Sequence, residues 1–116
     1  MFLALSHTKL DVFSITKQFL LACYKETKSF PADEKFGMIS QIRRAAVSVH
    51  LNVAEGCSRK SAAERKRFYE IARGSVIEID TAMDVAVDLN YISKEKLDDF
   101  GKLLIRAFQI ISKMIG

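Results

Sequence analysis

Gln41, Arg44, Ser48, Asn52 and Glu55 step along the chain by three, four, four and three residues. On a helix this spacing places all five on one stripe. Ile39, Ile42, Ala46, Val49 and Val53 mark a separate apolar face of the same stretch. Solvent-facing stripes elsewhere carry Lys and Glu, whereas this row carries short hydrogen-bonding groups with one Arg and one Glu. Such a set suits a half-buried network of donors and acceptors better than a wet surface.

A second helical stretch supplies partners for the row. A hairpin turning at residues 58–61 would bring Arg44 near Ser75 and Glu78, and Ser48 near Ala72. Gly74 and Ser75 are small and would let the two backbones approach. The expected contact is an Arg44–Glu78 ion pair, with Gln41, Ser48 or Asn52 satisfying the remaining groups. If buried, that pair would cost ~3–5 kcal/mol to break. The row reads first as a structural polar network fixing one helix register, and second as a ligand-facing surface.

Charge is distributed unevenly. Residues 59–73 hold Arg59, Lys60, Arg65, Lys66, Arg67 and Arg73 against Glu64 and Glu70, a balance of +4. Residues 74–100 hold seven acids against two lysines, a balance of −5, while the whole chain carries +4. The cations gather around one helix turn, so they would lie together at one end of the fold. Such a cluster is a candidate footprint for RNA or DNA phosphates. A solvated face is the plainer reading, and contact between basic and acidic ends of neighbouring subunits is another. Phe68 is expected in the core, leaving Tyr69 as the one aromatic placed to stack on a base.

Catalytic patterns are missing from the sequence. It has no Gly-rich phosphate loop, no His-Glu-x-x-His and no Glu-x-x-His. His50 and Cys57 are seven apart on one helix face, but two ligands do not close a metal site. His50 is expected to be a partly buried structural residue, with Cys23 and Cys57 as small core residues. His7 is expected before the first helix, disordered or at the surface. Glu55 and Glu78 each have a nearer cation than one another. No catalytic residue, cofactor, metal or small-molecule substrate is therefore expected.

These residues require long helices to position them. The chain has 116 residues, with 49% hydrophobic and 28% charged residues, one Pro, five Gly and no Trp. This is a globular composition with too few breakers for an all-β fold. Thr8 is placed to cap a helix over 9–28, which Phe30-Pro31 ends because a residue before proline disfavours helical geometry. A second helix is expected over 33–57, with Asp33 and Glu34 in its first turn and Gly56 marking its end. Ser61-Ala62-Ala63-Glu64 reads as a capping box opening a third helix over 62–89. Ser93 caps a fourth over 94–115. Short connections make successive helices antiparallel, giving an all-α, up-down-up-down four-helix bundle as one domain over 1–116.

The first helix carries two apolar stripes, Leu10, Phe13, Leu20 and Tyr24 on one and Val12, Ile15, Phe19 and Cys23 on the other. The fourth resembles it, with Leu97, Phe100, Leu104, Phe108 and Ile111 on one stripe and Leu103, Ile110 and Met114 elsewhere. One stripe is enough for a bundle core, so the second suggests self-association. No apolar run reaches the ~18 residues of a membrane helix, and Met1–Leu5 is too short for a signal-peptide apolar region. With two unpaired cysteines, this points to the cytoplasm.

Phe30-Pro31, Glu34, Gln41-Ile42-Arg43-Arg44-Ala45-Ala46-Val47-Ser48, Asn52-Val53-Ala54-Glu55-Gly56, Phe68, Ala72, Gly74-Ser75 and Glu78 form a pattern over about residues 8–113. It resembles the bacterial 23S rRNA intervening-sequence protein family. More distantly, it resembles the accessory variability determinant of diversity-generating retroelements, a basic pentameric barrel associated with nucleic acid and a reverse transcriptase. His50-Leu51 and Cys57 depart mildly from the pattern. The resemblance implies a small bundle assembling into a homopentamer and conveys genomic context rather than a reaction. The expected function is binding without catalysis, with rRNA or another nucleic acid as partner. The alternative is an oligomeric scaffold for a separately encoded protein.

Overall fold

The computed structural model describes residues 1–116, apart from the side chain of Lys9. Four helices make up the fold: α1 (Asp11–Thr27), α2 (Met38–Ser58), α3 (Ala62–Asp88) and α4 (Lys94–Ile115). No strand occurs among the described residues. Each helix packs on its neighbours in sequence, and α1 also packs on α4.

The helix ends follow local chemistry, and two starts differ from expectation. The expected start at residue 9 is replaced by a 3-10 turn over Ser6–Lys9, where Thr8 Oγ1 donates back to the Leu5 carbonyl at 2.7 Å. That hydroxyl is spent and does not cap α1, which begins after an extended Leu10. Nor does α2 start at 33. Ala32–Glu34 form a separate 3-10 turn, and the backbone leaves helical geometry at Gly37, with φ −106° and ψ −112°. Asp33 and Glu34 therefore lie outside α2. Ser61 Oγ accepts from Glu64 N at 3.1 Å and Ser93 Oγ from Lys96 N at 3.3 Å, capping α3 and α4; of the capping box expected at Ser61 only this hydroxyl half forms among the described residues. Between them, Asn90 takes a left-handed conformation, φ 62°, which asparagine tolerates. The Tyr91 amide then reaches back to the Ala86 carbonyl at 2.9 Å.

Between the four helices, Phe19, Ile42, Val49, Val53, Val76, Ile79, Met83 and Ile111 form the largest fully buried side chains. On α1, the stripe of Val12, Ile15, Phe19 and Cys23 enters the core. On the other stripe, Phe13 is buried, Leu20 half-buried, and Leu10 and Tyr24 exposed. Phe13 is covered by aromatic neighbours, with the His50 ring centroid 4.5 Å away and that of His7 5.6 Å away. On α4, Phe100, Leu104, Ala107 and Ile111 point inward, while Leu103, Ile110 and Met114 are half-buried at the margin.

Two glycines depart from expectation. Gly56 does not end α2; it lies buried inside the helix against the Tyr69 ring. Gly74 is not what lets α2 and α3 approach, since a Cβ there would meet nothing within 4 Å. It faces outward, and Ser48 and Ser75 make the close approach instead.

Candidate functional site

Three side-chain hydrogen bonds join α2 to α3, two of them from the polar row. Tyr69 Oη donates to Cys57 Sγ at 3.5 Å, Ser75 Oγ to Ser48 Oγ at 3.0 Å, and Gln41 Nε2 to Glu78 Oε1 at 2.9 Å. Partner numbers thus rise along α3 as they fall along α2. Asn52 Nδ2 adds bonds to the Ser48 carbonyl at 2.8 Å and to its hydroxyl at 3.1 Å. Ser48, Asn52 and Ser75 are half-buried, whereas Gln41, Arg44, Glu55 and Glu78 are exposed.

The expected Arg44–Glu78 ion pair does not form. Gln41, one turn earlier, takes Glu78, and Arg44 makes no hydrogen bond or ion pair among the described residues. An exposed guanidinium gains little from pairing with an exposed carboxylate, so an amide suffices to hold Glu78. Glu55 turns away from α3 and pairs with Arg59 on its own helix end at 2.9 Å. Ser48 faces Ser75 rather than Ala72.

The six cations around the α2–α3 turn divide by role. Arg59 pairs with Glu55 and lies over the Phe68 ring, 4.9 Å from its centroid. Lys66 approaches Glu70 at 4.0 Å, and both of these ion pairs are exposed. Arg65 donates to the carbonyls of Arg59 at 3.1 Å and Lys60 at 2.6 Å. It thereby ties down the backbone that leaves α2, where unpaired carbonyls and the negative helix end attract a cation. Arg73 lies apart, its guanidinium 4.9 Å from the Phe108 ring centroid on α4. Lys60 and Arg67 are exposed, with no partner among the described residues.

The two aromatics of this region exchange their expected places. Tyr69 is only 5% exposed and cannot stack on a base, while Phe68 is half-buried beneath Arg59. Gly56 explains the exchange, because its missing side chain makes room for the Tyr69 ring. Burial is the main effect raising the Tyr69 hydroxyl pKa, followed by its bond to Cys57.

His50 is half-buried, with Nδ1 2.8 Å from Thr16 Oγ1. Burial and then the charge of Lys17 lower its pKa from the ordinary value. Burial pushes the Cys23 thiol up to about 12, a value that keeps it protonated. Cys57 is half-buried rather than fully in the core. Among the described residues, no three His, Cys, Asp or Glu side chains gather as a metal-binding group. No described helix is long and apolar enough to cross a membrane.

Sequence reasoning missed Arg43 and Phe36. Arg43 Nε donates to Thr27 Oγ1 at 2.9 Å and Nη2 to the Tyr24 carbonyl at 3.2 Å, tying the end of α1 to α2. Its guanidinium also lies 4.7 Å from the Tyr24 ring centroid. The available signal was its position one residue, about 100° of helix, from the row containing Arg44. Phe36 stands 90% exposed in the loop before α2. A phenylalanine between Lys35 and Gly37 and outside any apolar periodicity was its sequence signal.

Comparison with known proteins agrees with this architecture. No curated protein sequence matches the chain. A solved structure of a protein of unknown function from the S23 ribosomal protein family of Bacteroides thetaiotaomicron is similar in fold, with a TM-score of 0.80 at 20% identity. The alignment covers 90% of this chain and 97% of that one. Family comparison matches residues 8–115, and on that match the chain belongs to the 23S rRNA-intervening sequence protein family.

Proposed function

We propose that the protein acts by binding rather than catalysis, with its basic α2–α3 turn contacting nucleic-acid phosphates. The observation carrying this reading is the exposure of Lys60 and Arg67 beside the exposed pairs of Arg59 and Lys66. Ion pairs this exposed contribute only ~0–1 kcal/mol, so a phosphate competes readily with Glu55 and Glu70. Arg65 serves as the positioning residue that holds the turn, and Arg73 extends the basic surface along α3. Family membership makes rRNA the first RNA to test.

The helix contacts support an antiparallel up-down-up-down bundle, with the Ser48–Ser75 and Gln41–Glu78 contacts fixing its α2–α3 register. The favoured assembly is a homopentameric ring packed through the outer margins of α1 and α4. Leu10, Leu21, Tyr24 and Ile105 are exposed apolar residues that such packing would cover. In a ring, each cation recurs five times around one rim and multiplies the local potential. The free thiols suit a cytoplasmic location.

Fluorescence anisotropy with RNA and duplex DNA across a salt series tests the binding reading. Log affinity should fall against log salt with a slope of about −4 or steeper, corresponding to roughly four or more phosphates. Replacing Arg59, Lys60, Arg65 and Lys66 with Ser should reduce both affinity and slope. Absence of binding at low salt overturns the phosphate reading and directs attention to a protein partner. Light scattering tests the ring, which a monomeric mass overturns.

A further inference from the structure

Between α2 and α3, beside the loop preceding α2, lies a depression of about 310 Å³ whose lining includes Phe36, Gln41, Arg44, Ser48, Ser75 and Glu78. Two hydrogen bonds cross it: Gln41 bonds to one oxygen of Glu78, and Ser75 to Ser48. Its charged groups are left partly unpaired. The Arg44 guanidinium has no acceptor among the described residues, and Glu78 Oε2 has no donor. The depression therefore presents a fork of N–H donors and an open carboxylate oxygen that do not pair with each other. Phe36 adds an exposed aromatic ring at the margin, with Lys35 Nζ 5.5 Å from its centroid.

A ligand matching all three features needs acceptors for Arg44, donors for Glu78 and a flat ring for Phe36. A simple anion satisfies Arg44 but is repelled by Glu78, and a simple cation does the reverse. A non-aromatic amino-acid zwitterion meets both charges but makes no use of the aromatic face. Guanine meets all three. Its O6 and N7 accept from an arginine fork, as in recognition of that base in nucleic acids. Its N1–H and 2-amino groups supply donors for a carboxylate, and an unstacked base packs on an aromatic side chain.

We infer that this depression binds an unpaired guanine base, carried either by a free nucleotide or by single-stranded RNA. The site is distinct from the basic turn, since the 15 residue steps from Arg44 to Arg59 span roughly 22 Å of helix axis. It does not depend on phosphate binding at that turn.

Calorimetric titration with guanosine monophosphate and adenosine monophosphate provides one test. A uridine hexamer containing one guanosine, compared with its adenosine counterpart, provides the other. In at least one of the two formats, the guanine ligand should bind about tenfold or more tightly than its adenine counterpart. Binding of the monophosphate identifies a free nucleotide as sufficient, and binding of the hexamer alone identifies RNA as the source. Arg44→Gln and Phe36→Ala should each reduce that guanine preference several-fold. Both positions are exposed, so these variants retain the fold, while Lys60→Gln should leave the preference intact. Equal affinity for guanine and adenine, displacement by millimolar glycine, or absence of binding in both formats overturns the inference. Full preference in both Arg44→Gln and Phe36→Ala overturns it as well.

Discussion

Gly56 lies against the ring of Tyr69, and a Cβ built on the glycine would stand 2.5 Å from Tyr69 Cε1 and 3.2 Å from Phe68 Cβ. The close approach lets Tyr69 enter the core and leaves Phe68 nearer the surface beneath Arg59. Gly56→Ala therefore forces the ring or the helix to move. Overpacking of this kind costs ~1–3 kcal/mol, against a gain of about 1 kcal/mol from alanine's helix propensity. The expected net loss, up to ~2 kcal/mol, should appear as a lower urea midpoint at unchanged slope. A raised midpoint would show that Tyr69 can move without cost.

Gly74 provides the opposite case. It lies within α3, and a Cβ there would meet open space. Gly74→Ala should raise stability by about 0.5–1 kcal/mol through reduced unfolded-chain entropy and better helix propensity. A destabilised variant would place an unrecognised contact at this position.

The sequence made α4 legible because Ser93, the following apolar period and the chemistry of its cap all agree. The same holds for the start of α3 at Ser61. The start of α2 was less legible, because Asp33 and Glu34 suit the first turn of a helix whether it is α or 3-10. Only the backbone break at Gly37 separates those choices. Tyr69 and Phe68 are adjacent residues on one helix, so periodicity alone did not fix which enters the core; the space left by Gly56 did. Likewise, the stripe containing Arg44 was readable from spacing, but the partner of Glu78 depended on side-chain reach. Gln41 meets it first.

His50 should give folding stability a measurable pH dependence. In the folded chain, burial and Lys17 lower its pKa below the ordinary 6.5. As pH falls through that value, the unfolded chain takes up a proton that the folded chain resists, so stability decreases. Once the folded imidazole is itself protonated, this contribution levels off; above about pH 7 it is constant. His50→Gln should flatten the difference in urea-derived stability between about pH 5 and 7. An unchanged pH slope in the variant would assign that dependence to other groups.

The two thiols should report their different environments. Cys23 is buried with its pKa pushed up to about 12, so little thiolate is present at pH 8. Cys57 is half-buried at the end of α2. A disulfide reagent added to the folded protein should therefore titrate one thiol per chain quickly, and the second only after unfolding. Mass mapping should place the early modification at Cys57. Rapid labelling of Cys23 would reveal local opening between α1 and its neighbours.

Arg65 and its neighbours separate stability from binding. Arg65 holds the carbonyls of Arg59 and Lys60 where the chain leaves α2, so Arg65→Gln should cost about 1 kcal/mol. Lys60 and Arg67 hold nothing among the described residues, and Lys60→Gln with Arg67→Gln should alter stability by less than about 0.5 kcal/mol each. That double variant should nevertheless weaken RNA binding and reduce the salt slope by about 2, one for each phosphate no longer neutralised. Denaturation and salt-dependent anisotropy on both variants separate these effects. Full RNA affinity and slope in the double variant would remove the two free cations from the interface. An unchanged midpoint for Arg65→Gln would show that the turn holds its shape without the guanidinium.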